Sequence, residues 1–386
     1  MEQTRKLYYE DCNLRSFSAQ VLACVQQEKG WDIILDATAF YPEGGGQACD
    51  TGTLDAVTVL HTREEGEQVI HLCSGPLAVG AQVTGTIHWQ RRFDLMQQHS
   101  GEHMVSGVVH KLYGWHNVGF HMGAELMTVD FDGPIPAEDL QKIEDTVNAA
   151  IWENLPVRCY YPTAEELPTV PYRRKKDLDW PVRIVEFPGI DICACCGTQV
   201  KYTGEIGLAK IFSCVKFHEG VRIEMACGGR ALNLLSAAYQ QNKLVSQAFS
   251  AKILETGAAA VRMNETLAGE KFRANSLEKQ LYNTIARNYV NQKIAVHFEA
   301  ALSPAANRVL CDTLAEHCQM AVTLSGSDET GYSLCIVSRT GDAKALGTAA
   351  AAALGGRGGG KREAFQGNLT ANRQEISDFF QSQKII

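Results

Sequence analysis

The segment QQHSGEHMVSG, residues 97–107, places the strongest constraint on this chain. In a helix, residues four apart lie on one face about one turn apart, so His99 and His103 project their imidazoles side by side. Two such rings can share a metal ion, but zinc needs at least one further protein ligand. The fold therefore has to carry a distant segment to this helix. The richest source is DICACCGTQV, residues 191–200, where Cys193, Cys195 and Cys196 crowd together beside a Gly-Thr turn. Thiolate joins imidazole readily on zinc, and flanking strands can aim a side chain. Any one cysteine alone reads more naturally as core; three within four positions shift the reading toward chemistry.

The chain of 386 residues is long enough for two or three domains, and its 45% apolar and 21% charged content is that of a globular protein. Its start is polar, and no run of about 18 apolar residues could span a bilayer, so a cytoplasmic protein without membrane association is expected. Thirteen cysteines, an odd number, point to reduced thiols and a metal site rather than a disulfide framework. A net charge of -8 argues against bulk nucleic-acid binding while leaving room for a local basic patch.

Residues 1–90 read as short strands forming a small β-barrel, with strands in WDIILDATAF, AVTVLHT and QVTGTIHW. Between them lies FYPEGGGQACDTGTL, residues 40–54. Gly44, Gly45 and Gly46 permit positive φ and close backbone approach, and Gln47 follows them. A hairpin loop is the plainer reading. Residues 91–228 read as an α/β domain in which helices over 91–113 and 136–153 pack on a mixed sheet; Phe93, Met96, Met104, Val108 and Leu112 supply the buried stripe of the first. Residues 229–292 turn helical, with a break near Thr256 and Gly257 that suggests an antiparallel hairpin serving as spacer or dimer seam. Residues 293–386 read as a small α/β unit whose Gly355 to Gly360 run, joined to Lys361 and Arg362, suits a backbone lying close to a phosphate or a partner. The fold class expected is thus a mixed α+β, multidomain chain.

These residues carry a resemblance. FYPEGGGQACDTGTL resembles the glycine-rich motif of the alanyl-tRNA editing proteins, the free-standing relatives of the editing half of alanyl-tRNA synthetase. HSGEH is similar to their HxxxH element, CCGTQVKYTGEIG resembles CxGTHxxxTGEIG, and the GGRGGG to QGN ending looks like a DHHA1 domain. The resemblance implies zinc held by His99, His103 and Cys195. The fourth ligand position of the family is occupied here by Gln199. Zinc would then sit on three protein ligands plus water, or recruit Cys193 or Cys196, or bind poorly.

The resemblance implies hydrolysis of the ester in Ser-tRNA(Ala), with Gly-tRNA(Ala) as a second substrate. Sparing Ala-tRNA requires a group that hydrogen-bonds the serine hydroxyl, for which Thr198 and Gln199 are candidates. Glu102 shares nearly the same helical face as the histidines and could relay a proton, although a solvated helix glutamate is the commoner case. The basic run Arg173, Arg174, Lys175 and Lys176, together with Lys361 and Arg362, offers contacts to tRNA phosphates. A homodimer through the helical spacer and the C-terminal domain is the expected assembly. Two rivals stand beside this reading. HSGEH also satisfies the HxxEH pattern of inverted zinc metalloproteases, with Glu102 as base and Glu186 as third ligand, and Gln199 suits a paralogue that binds tRNA or a synthetase without catalysis.

Overall fold

A computed structural model describes residues 3–174 and 180–383. The chain divides into two compact units, Met1–Leu244 and Val245–Ile386.

In the first unit, six strands hydrogen-bond in a closed ring: Ser16–Gln27, Gly30–Leu35, Gln68–Cys73, Val57–Glu65, Gly52–Leu54 and Gln82–Ile87, the last returning to the first. Alternation is clearest in the first and last strands. Along Ser16–Gln27, Phe17, Ala19 and Val21 point inward while Ser16, Ser18 and Gln20 face out. The interior is filled by Phe17, Val21, Ile33, Leu35, Phe40, Leu54 and Val83. Gly85 is required there because a Cβ would overlap the Phe17 ring.

The helix Trp89–Tyr113 leaves this ring and is enclosed on nearly every side between Leu95 and Val109. Two glycines permit that enclosure: Gly101 lies against the Cys227 sulfur and Gly107 against the backbone of Ile190. Met96, Met104 and Val108 join the core as expected, but Leu112 is exposed, because the helix ends two residues later at the left-handed Gly114. A buried ion pair ties the helix to the glycine-motif loop: the Arg92 guanidinium holds Asp50 and also donates to the carbonyls of Cys12, at 2.9 Å, and Ala39, at 2.5 Å.

The expected mixed sheet of residues 91–228 is instead two antiparallel sheets. One runs in the order Ala209–Phe217, Gly220–Cys227, Met127–Phe131, Asn117–Met122; the other is Arg158–Tyr160, Ile184–Phe187, Asp191–Ala194. Short connections such as those at 123–126 and 218–219 reverse the chain and leave no room for the crossover a parallel pair needs. The helix Leu140–Trp152 packs Ile143 and Val147 into the same core.

The helix Gly228–Ala248 follows, and residues 249–255 interrupt it, so Thr256 and Gly257 open the next helix rather than mark the break. In the second unit, the helix Thr256–Ala286 packs Tyr282 and Ala286 against Leu310 and Leu314 of the helix Pro304–Leu314. A five-stranded sheet runs Ile294–Glu299, Met320–Ser327, Gly331–Ser338, Ala364–Leu369, Arg357–Lys361, with only the first pair parallel. The glycine run, expected as a loop, forms the exposed edge strand: Gly355 turns the chain with φ +67°, and Arg357–Lys361 then pairs with Ala364–Leu369. No helix among the described residues is long and apolar enough to cross a membrane.

Candidate metal centre

His99 and His103 stack with ring centroids 5.1 Å apart and planes 5° from parallel, as one helical turn dictates. Cys195 arrives on the loop just past the strand Asp191–Ala194. That loop is clamped: Arg183 Nη1 donates to the carbonyls of Cys195 and Gly197, at 2.8 and 3.0 Å, while Tyr9 Oη donates to the carbonyl of Cys196 at 3.0 Å. Gly197 must be glycine, since a Cβ would overlap the His99 ring.

The donor set fits zinc. The ligand atoms of His99, His103 and Cys195 all lie within 4.8 Å of one another. Zinc–nitrogen and zinc–sulfur bonds of about 2.0 and 2.3 Å at a tetrahedral angle separate the two atoms by about 3.5 Å. His99 Nε2 and Cys195 Sγ stand 3.4 Å apart. The tautomer of His99 is also fixed. Gln47 Oε1 accepts the Thr198 N–H at 3.1 Å, so the His99 Nδ1 lying 2.9 Å from that oxygen donates to it and Nε2 is the nitrogen turned toward Cys195. His103 Nδ1 faces Cys193 Sγ at 3.0 Å and Asp191 Oδ2 at 3.4 Å; Asp191 is itself gripped by Arg173 through two 2.7 Å bonds. This is the carboxylate–histidine support usual behind a metal ligand.

The electrostatics separate the cysteines. Burial pushes both thiols up, but His99 and His103 overcome it at Cys195, which is drawn well below the usual thiol range. Burial pushes Cys193 up to about 12 against the pull of His103. Burial would lower His103, yet the two cysteines and Asp191 raise it well above its ordinary value; Asp191 is held to about 2 against its own burial by His103 and Arg173. Cys196 is exposed.

Gln199, at the fourth-ligand position, is buried and committed elsewhere. Its Oε1 accepts from Ser100 Oγ at 2.7 Å, and its Nε2 faces Cys195 Sγ at 3.6 Å, so it offers the sulfur an N–H rather than a cation an oxygen. Thr198 is likewise turned inward, its Oγ1 accepting from Gln47 Nε2 at 2.8 Å. Neither is among the residues lining the cavity of about 490 Å3 that opens over the histidines. The glycine motif does reach that cavity. Gly45 and Gly46, with φ +59° and +81°, form a two-residue turn closed by mutual Gly44–Gln47 backbone bonds, and Gly46 sits where a Cβ would come 2.7 Å from Phe120. Hairpin loop and close approach are thus the same object, and its product is the placement of Gln47.

Glu102 is buried on the cavity wall rather than solvated, its Oε1 accepting from Ser106 Oγ at 2.6 Å and from Asn117 Nδ2. Arg173 and Arg174 line the same cavity, but the Arg173 fork is taken by Asp191 and is not a phosphate contact waiting for a partner. Lys175 and Lys176 lie outside the described residues. Lys361 and Arg362 are exposed at the end of the second unit's edge strand. Glu186, the third ligand of the protease reading, faces Arg158 at 4.0 Å and belongs to neither cluster of potential metal ligands among the described residues. Sequence reasoning passed over Asp191, Ser106 and Asn117. Only the position of Asp191 at the head of the cysteine segment signalled any of them.

Comparison with known proteins matches residues 2–91 to the class II (A) tRNA synthetases, 182–224 to the threonyl and alanyl tRNA synthetase second additional domain, and 291–383 to the DHHA1 domain. The alanyl-tRNA editing protein Aarsd1 of Mus musculus is 28% identical, over 94% of each chain. An alanine–tRNA ligase of Thermofilum pendens is 31% identical over 95% of this chain and 42% of its own length. Among solved structures, the C-Ala domain of Aquifex aeolicus alanyl-tRNA synthetase is similar over 25% of this chain and 91% of that one, at 17% identity and a TM-score of 0.22.

Proposed function

Because the chain belongs to the alanyl-tRNA editing protein family, we propose that it hydrolyses the ester joining a wrong amino acid to tRNA(Ala), with serine as the principal substrate and glycine as the second. The observation that carries this reading is the convergence of His99, His103 and the Cys195 sulfur beside an open cavity. These three residues would hold a zinc ion, which when bound supplies the Lewis acidity that ester cleavage at neutral pH needs.

The chain's own groups do the rest. Gln47 and Asp191 orient the two imidazoles. Glu102, steadied by Ser106 and Asn117, takes a proton from the attacking water and returns it to the departing ribose oxygen, leaving the free amino acid and deacylated tRNA. Discrimination against alanine needs a buried partner for the serine hydroxyl. With Thr198 and Gln199 engaged by Gln47 and Ser100, that partner has to come from the cavity wall, where Glu102 is a buried acceptor.

The non-catalytic reading is favoured by Gln199 alone, and the three remaining donors weigh against it. Exposed Leu232, Leu235 and Tyr239 on one helix, and Met263, Leu267 and Leu277 on the next, support a homodimer, which sedimentation would test.

The deciding experiment incubates purified protein with Ser-tRNA(Ala), Gly-tRNA(Ala) and Ala-tRNA(Ala), beside metal analysis of wild type and Cys195→Ala. Deacylation of the first two only, abolished together with bound zinc in C195A, is expected. Deacylation of none with tRNA binding intact would leave the non-catalytic reading, and zinc retained in C195A would revive the protease.

A further inference from the structure

Arg183 directly precedes the strand Ile184–Phe187 and lines the cavity over the histidines, yet it is only 7% exposed. Arg92, Arg173 and Arg230 each grip an aspartate: Asp50, Asp191 and Asp94. Arg183 has no carboxylate partner among the described residues. Its Nη1 donates to the carbonyls of Cys195 and Gly197, and its guanidinium lies 4.9 Å from the centre of the Tyr9 ring, which offsets a charge only in part. Holding two neutral carbonyls needs N–H groups, not a permanent charge. A buried cation is costly unless an anion meets it.

Its neighbours do not supply that anion. Burial pushes Tyr9, Tyr161 and Cys159 upward, so these groups beside the guanidinium are neutral at pH 7. Glu102, the carboxylate on the cavity wall, is held by Ser106 and Asn117, and Cys195 is a candidate metal ligand. With Nη1 engaged, the Nε–Nη2 edge is left. It has no acceptor among the described residues, and neither atom is among the sealed ones that lack a partner, so this edge faces the open cavity. Two parallel N–H groups of this kind take a phosphate or carboxylate bidentately.

We infer that the Nε–Nη2 edge of Arg183 is a subsite for one phosphodiester of the tRNA, the one that joins the esterified terminal nucleoside to the rest of the 3′ end. The inference rests on the hydrolase reading, whose substrate carries its nearest permanent negative charge one ribose away from the ester. Because Nη1 is tied to the backbone at Cys195 and Gly197, the guanidinium is fixed to the loop that brings Cys195 to the histidines. A phosphate seated on it lies at a set offset from the three donors, and the ester on the same nucleoside is placed against them. Arg183 binds the nucleotide rather than the amino acid, so it serves seryl and glycyl esters alike.

The test measures by calorimetry, on purified protein supplied with zinc, the Kd of 3′-deoxy-3′-(L-serylamino)adenosine, whose amide resists hydrolysis, and of the same compound carrying a 5′-phosphate methyl ester. Wild type should bind the phosphodiester form about 10- to 100-fold more tightly, the range of a charge-assisted hydrogen bond. Arg183→Gln, whose amide still donates to a backbone carbonyl, should bind both forms alike, at the wild-type affinity for the uncharged one. Arg183→Lys, which keeps the charge and loses the fork, should retain part of the preference. Metal analysis of each variant reports whether the Cys195 loop is in place. Equal Kd for the two forms in wild type would overturn the inference whatever the variants do. So would a preference that survives in R183Q, which would mark Arg183 as a loop clamp and nothing more. Deacylation of Ser-tRNA(Ala), measured separately, reports on the hydrolase reading: its failure with the preference intact would remove the reaction and keep the subsite.

Discussion

Replacing Gln47 by alanine tests whether the metal centre is built from behind. The Gln47 amide oxygen accepts from His99 Nδ1 at 2.9 Å and from the Thr198 N–H at 3.1 Å, and its nitrogen donates to Thr198 Oγ1 at 2.8 Å. Truncation strands two buried donors, each costing about 1–3 kcal/mol, so the metal-free protein should lose about 2–6 kcal/mol of stability. His99 also loses the partner that fixes its tautomer, and removing such a partner costs about 10–100-fold in metal affinity. Gln47→Glu separates the two effects. Its carboxylate accepts from both donors, and the Thr198 hydroxyl can rotate to donate to it, so zinc affinity should return to the wild-type level or above. Zinc titration against a chromophoric chelator reads the affinity, and thermal unfolding of the metal-free protein reads the stability. Wild-type zinc affinity in Q47A, with the expected loss of stability, would refute the claim that Gln47 orients His99.

Gly197→Ala should displace the His99 ring and abolish tight zinc binding without unfolding the barrel, which metal analysis beside circular dichroism would check. Arg92→Ala leaves Asp50 charged and buried, and should destabilise the protein by about 3–5 kcal/mol in denaturant unfolding. Burial lowers His71 to about 4, while Nδ1 donates to the Ile33 carbonyl and Nε2 accepts from Thr38. The unfolded chain therefore binds this proton first as pH falls: stability is full above about 6.5 and declines by about 3 kcal/mol on the way to about 4. His71→Gln should flatten that slope in unfolding experiments across the interval.

Local pattern made much of this chain legible. The four-residue spacing of His99 and His103 and the cysteine crowding before Gly197 brought the candidate donors forward, and the apolar stripe of residues 91–113 and the proline opening residues 136–153 pointed to two helices, because helix formation is governed by neighbours in sequence. Strands read less well. Arg357–Lys361 is nearly all glycine and pairs only because Ala364–Leu369 lies beside it, and the antiparallel order of the sheets behind the site depends on connections whose geometry no propensity records.

The parts that only tertiary structure could decide are those in which one residue's role is set by what another has already taken. Gln199 occupies a ligand's position in the motif, yet Ser100 holds its oxygen; Thr198 is spent on Gln47; Arg173 is spent on Asp191; and Glu102, polar on a helix face, is buried because Gly101 and Gly107 let neighbouring segments close around it. A sequence states which donors and acceptors a chain owns. Their pairing follows from distances between segments far apart in the chain, and those exist only once the core has packed.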